Sequence, residues 1–273
     1  YKGQLKRCQP HDHKQVKTLE CDSSLVPMGA EPMEIDPAVF SAFEYKNSCN
    51  ESEVKKVFIE PLVGLLRHPD VCTKRKQVVN KNYMIVDPWQ ATRNRAARVA
   101  QGRPPRSIYI DVGASSWATD PAGSSQEWFY NVYTAQCVVY DKWLMWDPNP
   151  DMKKVLKEVP GHMKPRYTFF PTYASKERDS WDNPLNHILA ECSPEDFVVF
   201  KLDLDHEPTE LGIVKIMLEE PEVLKRIDQF FFEHHISMAL MEKYWGPSPT
   251  KQKTSIELFA KLRKHGIHSH SWV

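Results

Sequence analysis

From Ser107 onward, short apolar runs alternate with stretches whose apolar positions recur at helical spacing. Ile108, Tyr109 and Ile110 form a compact apolar run that Asp111 ends and Gly113 breaks. A strand buried on both faces and followed by a turn has this pattern. The segment Q-E-W-F-Y-N-V-Y from Gln126 predicts a helix, with Ser124 or Ser125 as N-cap and Glu127 in its first turn. Cys137 to Tyr140 predicts a second strand, continued through Leu144, Met145 and Trp146 and closed by Asp147-Pro148. A third strand is expected over Arg166 to Tyr173, a helix over Asn183 to Ala190, and a strand over the apolar run Phe197 to Leu204. Thr209 to Arg226 carries an apolar helical face. Ile227 to Ile236 predicts a strand whose end delivers Glu233, His234 and His235. A helix from Ser255 to Lys264, stopped by Gly266, precedes a last strand, Ile267 to Val273, with His268 and His270 on one face. Strands and helices alternating in this way predict an α/β, doubly wound, mostly parallel sheet over residues 106–273.

Residues 1–105 read differently, as an irregular, Cys-containing extension that packs on the core. No period is sustained before residue 50. Glu53 to Leu66 is apolar enough to pack as a short helix or strand, broken by Pro61, and Tyr83 to Val86 predicts a short strand stopped by Asp87-Pro88. Arg93, Arg95, Arg98, Arg103 and Arg106 form either a surface for phosphate or a polyanionic glycan, or a solvated face.

Composition narrows the function classes. The 36 basic and 36 acidic residues leave no net charge, which argues against a dedicated nucleic-acid binder. No apolar run approaches the roughly 20 residues of a membrane span. The chain opens on Tyr1 rather than Met, which leaves room for an upstream signal or anchor. Four of the six cysteines fall within the first 72 residues, and no C-x-x-C pair occurs. A zinc ribbon or thioredoxin-like site is therefore not expected, whereas N-terminal disulfides suit an oxidising compartment. Asn50-Glu-Ser52 is an N-glycosylation sequon. These features together predict the secretory pathway, in the Golgi lumen or outside the cell.

Candidate chemistry follows from the sheet. Open α/β sheets bind ligands beyond the carboxyl ends of their strands. There, Asp111, Gly113, Ala114 and Ser115 suit a nucleoside-type ligand, because Gly admits a close approach and a carboxylate accepts hydrogen bonds. Asp147 stands where a nucleoside-binding fold places its ribose partner, or else forms a simple Asp-Pro turn. Lys201 and Asp203 share one strand face, so they either pair with each other or line the site. Asp203, Asp205, His234 and His235 end on strands that open onto one crevice and are the candidate catalytic groups. The same residues suit a divalent metal ion, although their spacing matches no short metal motif, or they support packing at the strand ends.

Three of these segments in this order, I-D-V-G-A at 110–114, D-P-N-P at 147–150 and F-K-L-D-L-D at 200–205, resemble the FkbM-like family of S-adenosylmethionine-dependent methyltransferases. That family shows a D-x-G-A-x turn, an E-P-x-P after the second strand and a K-x-D-x-E-G-x-E stretch. The resemblance runs from Ile108 to His235. The phrases E-P-L-V-G-L-L-R-H-P, F-F-F-E-H-H and H-S-H-S-W-V resemble an algal group within the family. It implies a class I methyltransferase (Rossmann-like) fold and methyl transfer to a hydroxyl of a glycan or small metabolite. It also implies a cofactor loop at Asp111 and Gly113, with Ala114 and Ser115 beside them. Asp147 would replace the usual ribose-binding Glu, and Lys201, Asp203 and Asp205 would match the K-x-D-x-E stretch. The chain departs from the family in an insertion before Gly123, in Asp205 for Glu, in His206 for Gly and in the offset of Glu210. Three readings stay open. The chain is an O-methyltransferase, or a degenerate methyltransferase fold serving as a binding or structural subunit of a larger assembly, or a metal-dependent transferase or hydrolase using the His and Asp cluster.

Overall fold

A computed structural model describes residues 40–47, 50–62, 81, 84–91, 98–99, 102–104, 106–117, 126–148, 152–237 and 246–272. Among them are eight strands and six α-helices, numbered in chain order. Strands β1 (Ser41–Asn47) and β2 (Asn50–Ile59) form an antiparallel hairpin. The remaining strands are β3 (Ser107–Val112), β4 (Lys142–Trp146), β5 (Tyr167–Phe170), β6 (Phe197–Leu202), β7 (Gln229–Phe232) and β8 (His268–Ser271). The helices are α1 (Gln126–Ala135), α2 (Met152–Glu158), α3 (Pro184–Glu191), α4 (Glu207–Glu219), the single turn α5 (Pro221–Leu224) and α6 (Gln252–Lys264).

The six later strands form one sheet in the order β5-β4-β3-β6-β7-β8, and each of its five pairings is parallel. This is the Rossmann order, in which strand succession reverses between β3 and β6 and opens a crevice at the strands' carboxyl ends. The α/β sheet expected from the alternation is present, with helices on both faces. Helices α1 and α2 cover one face through Phe129, Tyr133 and Val155. Helices α3, α4, α5 and α6 cover the other through Leu185, Ile213, Val223 and Phe259. Continuous burial of β3, β6 and β7 explains their unbroken apolar runs.

Several boundaries depart from the pattern-based expectation. The extension is not irregular throughout: β1 begins at Ser41, and the Glu53 segment belongs to a strand that ends at Ile59. Phe43, Tyr45, Val57 and Ile59 alternate inward against β8, and a hairpin with one buried face needs only that period. Residues 84–86 are not a strand. The expected strand at Cys137 is a turn, with Cys137 at φ 63°, and β4 starts at Lys142. The segment 209–226 divides at Glu220-Pro221, because proline has no N–H to continue the helical ladder. Asn183 is the N-cap of α3, where its side-chain oxygen accepts the Leu185 N–H.

The arginine-rich stretch is used internally. Arg98 and Arg106 both bind Asp196, and Arg103 binds Glu195, at the amino end of β6. Arg93 and Arg95 lie outside the described residues. No disulfide forms among the described residues, which include Cys137 and Cys192 but not the four earlier cysteines. Asn50 of the sequon opens β2. Among the described residues, no helix is long and apolar enough to cross a membrane.

Candidate functional site

The parallel register aligns polar residues into two rows on the face covered by α1. Asp111, Lys201, Phe231 and His270 lie side by side across β3, β6, β7 and β8. One row further towards the carboxyl ends come Gly113, Asp203, Glu233 and Trp272. Asp203, Glu233 and Trp272 there still donate backbone N–H groups to Val112, Leu202 and Phe232. A charged band therefore crosses the sheet at the crevice.

Lys201, 1% exposed, anchors this band. Its Nζ lies 3.2 Å from Asp111 Oδ1 and 2.8 Å from Asp203 Oδ2. Asp111 also accepts a hydrogen bond from the Tyr109 hydroxyl. Burial works against the Lys201 ammonium, but the two carboxylates raise its pKa above the usual lysine range. Burial likewise opposes Asp203 ionisation, yet Lys201 and a hydrogen bond from Glu233 bring the Asp203 carboxyl down to about 2. Burial and the neighbouring Asp203 carboxylate push Glu233 well above the carboxylate range. Of the two neighbouring carboxyls, Asp203 is therefore the more acidic and Glu233 the more readily protonated.

Beyond this pair the chain turns outward. Asp205 sits in the left-handed backbone region at φ 54°, and its side chain is 80% exposed. The buried imidazole of His235 places Nε2 3.6 Å from Asp205 Oδ1 and 3.6 Å from Glu233 Oε2. Glu210 of α4 fixes this loop by accepting the Leu204 N–H at 2.7 Å. Burial lifts the Glu210 carboxyl to about 7 despite that bond. Ser248 donates to the His235 carbonyl and to Glu207, and so ties the β7 tail to α4. Lys81 lies over the Trp272 ring, 4.0 Å from its centroid, facing Glu233 and Asp203. Burial takes its ammonium down to about 8 against the pull of those carboxyls.

The structure thus gathers Asp111, Lys201, Asp203, Asp205 and His235 and separates His234 from them. His234 points to the opposite face, stacks on Phe232 and bonds Ser255 of α6, as strand alternation requires of its position. Burial lowers its pKa to about 4, so it is a neutral packing group. His268 and His270 lie under the hairpin, bonded to Tyr45 and Glu60. Asp111 is inside β3 and wholly buried, not at the strand's end. Lys201 is engaged by two carboxylates.

Across the switch point, Gly113 and Ala114 both donate backbone N–H groups to the Trp146 carbonyl. A Cβ on Gly113 would lie 1.5 Å from the Asp203 carbonyl oxygen. The close approach that requires glycine at this position is therefore made by the β6 tail. Ala114 is buried and Ser115 exposed. Gln126, at the start of α1, donates to the Ala114 carbonyl and accepts from the Tyr167 hydroxyl. Asp147, at the carboxyl end of β4, is 9% exposed.

Sequence reasoning left Glu233, Glu210 and Lys81 out of the site. Glu233 was legible as one of the residues delivered at the end of β7, since it shares the facing of Lys201 and Asp203 once the strands are aligned. Lys81 lies in a stretch with no period to place it.

No protein-family model, no curated protein and no solved structure matches the chain.

Proposed function

We propose that the chain transfers a methyl group from S-adenosylmethionine to a hydroxyl of a glycan or small metabolite, in the crevice at the carboxyl ends of β3, β4 and β6. The observation that carries this reading is Asp147. It closes the second strand of a Rossmann-ordered sheet, one strand away from the switch point, where a carboxylate takes the hydroxyls of a nucleoside ribose. The resemblance of the D-V-G-A, D-P-N-P and K-L-D-L-D segments to FkbM-like methyltransferases supports the same assignment. In the reaction the acceptor oxygen forms a bond to the methyl carbon as the sulfonium–methyl bond breaks, leaving a neutral thioether. The hydroxyl proton leaves to the acidic group beyond β6 and β7, whose exposed member is Asp205. Most of the acceleration in such a step comes from holding the two reactants in line.

A second reading is favoured by one observation. The N–H groups of Gly113 and Ala114 bind Trp146, and the Asp203 carbonyl fills the space that glycine opens. A turn so occupied suits a methyltransferase-like domain that serves as a binding or structural subunit.

Calorimetry of the purified full chain with S-adenosylhomocysteine separates the two. Binding is expected, weakened about 10- to 100-fold in Asp147→Ala, as for loss of one or two hydrogen bonds to a charged group. A folded wild-type chain that gives no binding heat would overturn the methyl-transfer reading in favour of the subunit role.

A further inference from the structure

We infer that Asp205, Glu233 and His235 bind a divalent transition-metal ion at the carboxyl ends of β6 and β7. One oxygen of each carboxylate and one imidazole nitrogen lie within 4.8 Å of one another. The two His235 separations, 3.6 Å each, are too long for hydrogen bonds. They match the spacing of neighbouring donors around one ion: with metal–ligand bonds of about 2.1 Å, such donors stand roughly 3 to 4 Å apart. The donors come from tails of adjacent strands, and two of the three are held by the fold. His235 is 4% exposed. Its carbonyl is tied to Ser248, and the Glu233 N–H is bound to the Leu202 carbonyl. Asp205 reaches in from the solvent side, in a left-handed conformation that Asp tolerates better than most residues.

The charge around the site has the sign a cation needs. Asp111, Asp203 and Asp205 gather here with Glu210 and Glu233, whose raised pKa values mean that an ion binding Glu233 displaces a proton from it, and Lys81 and Lys201 are the ammonium groups facing them among the described residues. Lys201 is engaged by Asp111 and Asp203, whose carboxylates offset its charge. One imidazole and two carboxylates suit Mn²⁺, Fe²⁺ or Zn²⁺ better than the all-oxygen shells of Mg²⁺ and Ca²⁺. Three protein donors leave coordination positions for oxygen ligands from the crevice. A hydroxyl bound there loses its proton more readily, and Asp205 then acts as ligand rather than proton acceptor. The site stands independently of methyl transfer, because its donors are on the β7 side of the switch point and Asp147 is on the β4 side.

The test is titration of the full chain with MnCl₂ and, separately, ZnCl₂. Calorimetry gives the affinity, and loss of the free Mn²⁺ paramagnetic resonance signal counts bound ions. Mn²⁺ is expected to bind one ion per chain. Asp205→Asn, an exposed position where folding is not at risk, should weaken binding at least 10-fold, and His235→Ala should weaken it further. Asp147→Ala should retain the full metal affinity while its S-adenosylhomocysteine binding weakens about 10- to 100-fold, so each site is read without the other. A folded wild-type chain that binds neither ion at millimolar concentration would overturn the assignment. So would binding that is unchanged in both Asp205→Asn and His235→Ala, which would place the ion elsewhere in the chain.

Discussion

At the scale of single residues, the crevice is shaped by the backbone as much as by charged groups. Gly113 has φ 99°, a conformation that side-chain-bearing residues rarely adopt, and the Asp203 carbonyl occupies the position of its missing Cβ. Its requirement for glycine is thus a matter of folding before it is one of ligand binding. Gly113→Ala would force apart β3 and the tail of β6, both buried and neither able to give way. We expect a loss of at least about 3 kcal/mol in urea unfolding, combining left-handed strain with overpacking. A variant as stable as the wild type that had lost only ligand affinity would return Gly113 to the role of a cofactor-loop glycine. The contrast between His234 and His235 has the same local origin. Adjacent strand residues point to opposite faces, so one stacks on Phe232 under α6 and the other meets Asp205 and Glu233.

At the scale of elements, the β1–β2 hairpin is fastened to the edge of the sheet by a buried polar group. Glu60, just past β2, accepts from His270 Nδ1 at 2.9 Å and from the Ile85 N–H at 2.9 Å. Arg263 of α6, 1% exposed, donates to the Glu60 carbonyl, to Ser41 and to the Ser269 carbonyl. Arg263 Nη2 also lies 3.7 Å from Glu60 Oε1, so Glu60→Gln would leave the buried guanidinium without its counter-charge, at a cost of about 3 kcal/mol or more. Faster limited proteolysis within 41–59 should accompany the loss. A change below about 1 kcal/mol, with unchanged proteolysis, would mean that apolar packing of Phe43, Tyr45, Val57 and Ile59 alone holds the hairpin. This anchoring also shows where sequence legibility ends. The parallel strands were readable because burial on both faces leaves unbroken apolar runs such as Phe197 to Leu202. The hairpin was not, because its alternation is short and its partners, His268 and His270, stand more than 200 residues away. Lys201 and Asp203 could be placed on one face from spacing alone. That Asp111 completes their pairing needed the β3–β6 register, which no local pattern carries. Glu233 was visible as the residue delivered with the two histidines, but its link to Asp203 again depends on register.

At the scale of the whole molecule, buried carboxylates join distant segments at both ends of the sheet, and their ionisation sets the acid stability. Asp196 is fully buried at the amino end of β6 and holds Arg98 and Arg106 from the segment before β3. Burial opposes its charge, but Arg106, the Ser193 N–H and Arg98 outweigh that and keep its pKa below the ordinary Asp value. Glu60 is held below its ordinary value in the same way, by His270 and Arg263 against burial. A carboxyl with a lowered pKa in the folded state contributes stability above its unfolded pKa and loses it as pH falls through the folded one. For both groups the loss therefore begins near the ordinary carboxylate range, at about pH 4 to 5, and deepens below it. The urea midpoint is expected to vary little through these groups between pH 7 and 5 and to fall below that. Asp196→Asn supplies the discriminating measurement. At pH 7 it removes the partner of a nearly buried Arg98 and should cost about 3 kcal/mol. Below the folded pKa the wild type carries an uncharged carboxyl in the same place, so the two stabilities should converge as the pH falls towards 3. A difference that stayed constant from pH 7 to 3 would show that Asp196 acts through shape and neutral hydrogen bonds, and that its charge does not tie the segment before β3 to the sheet.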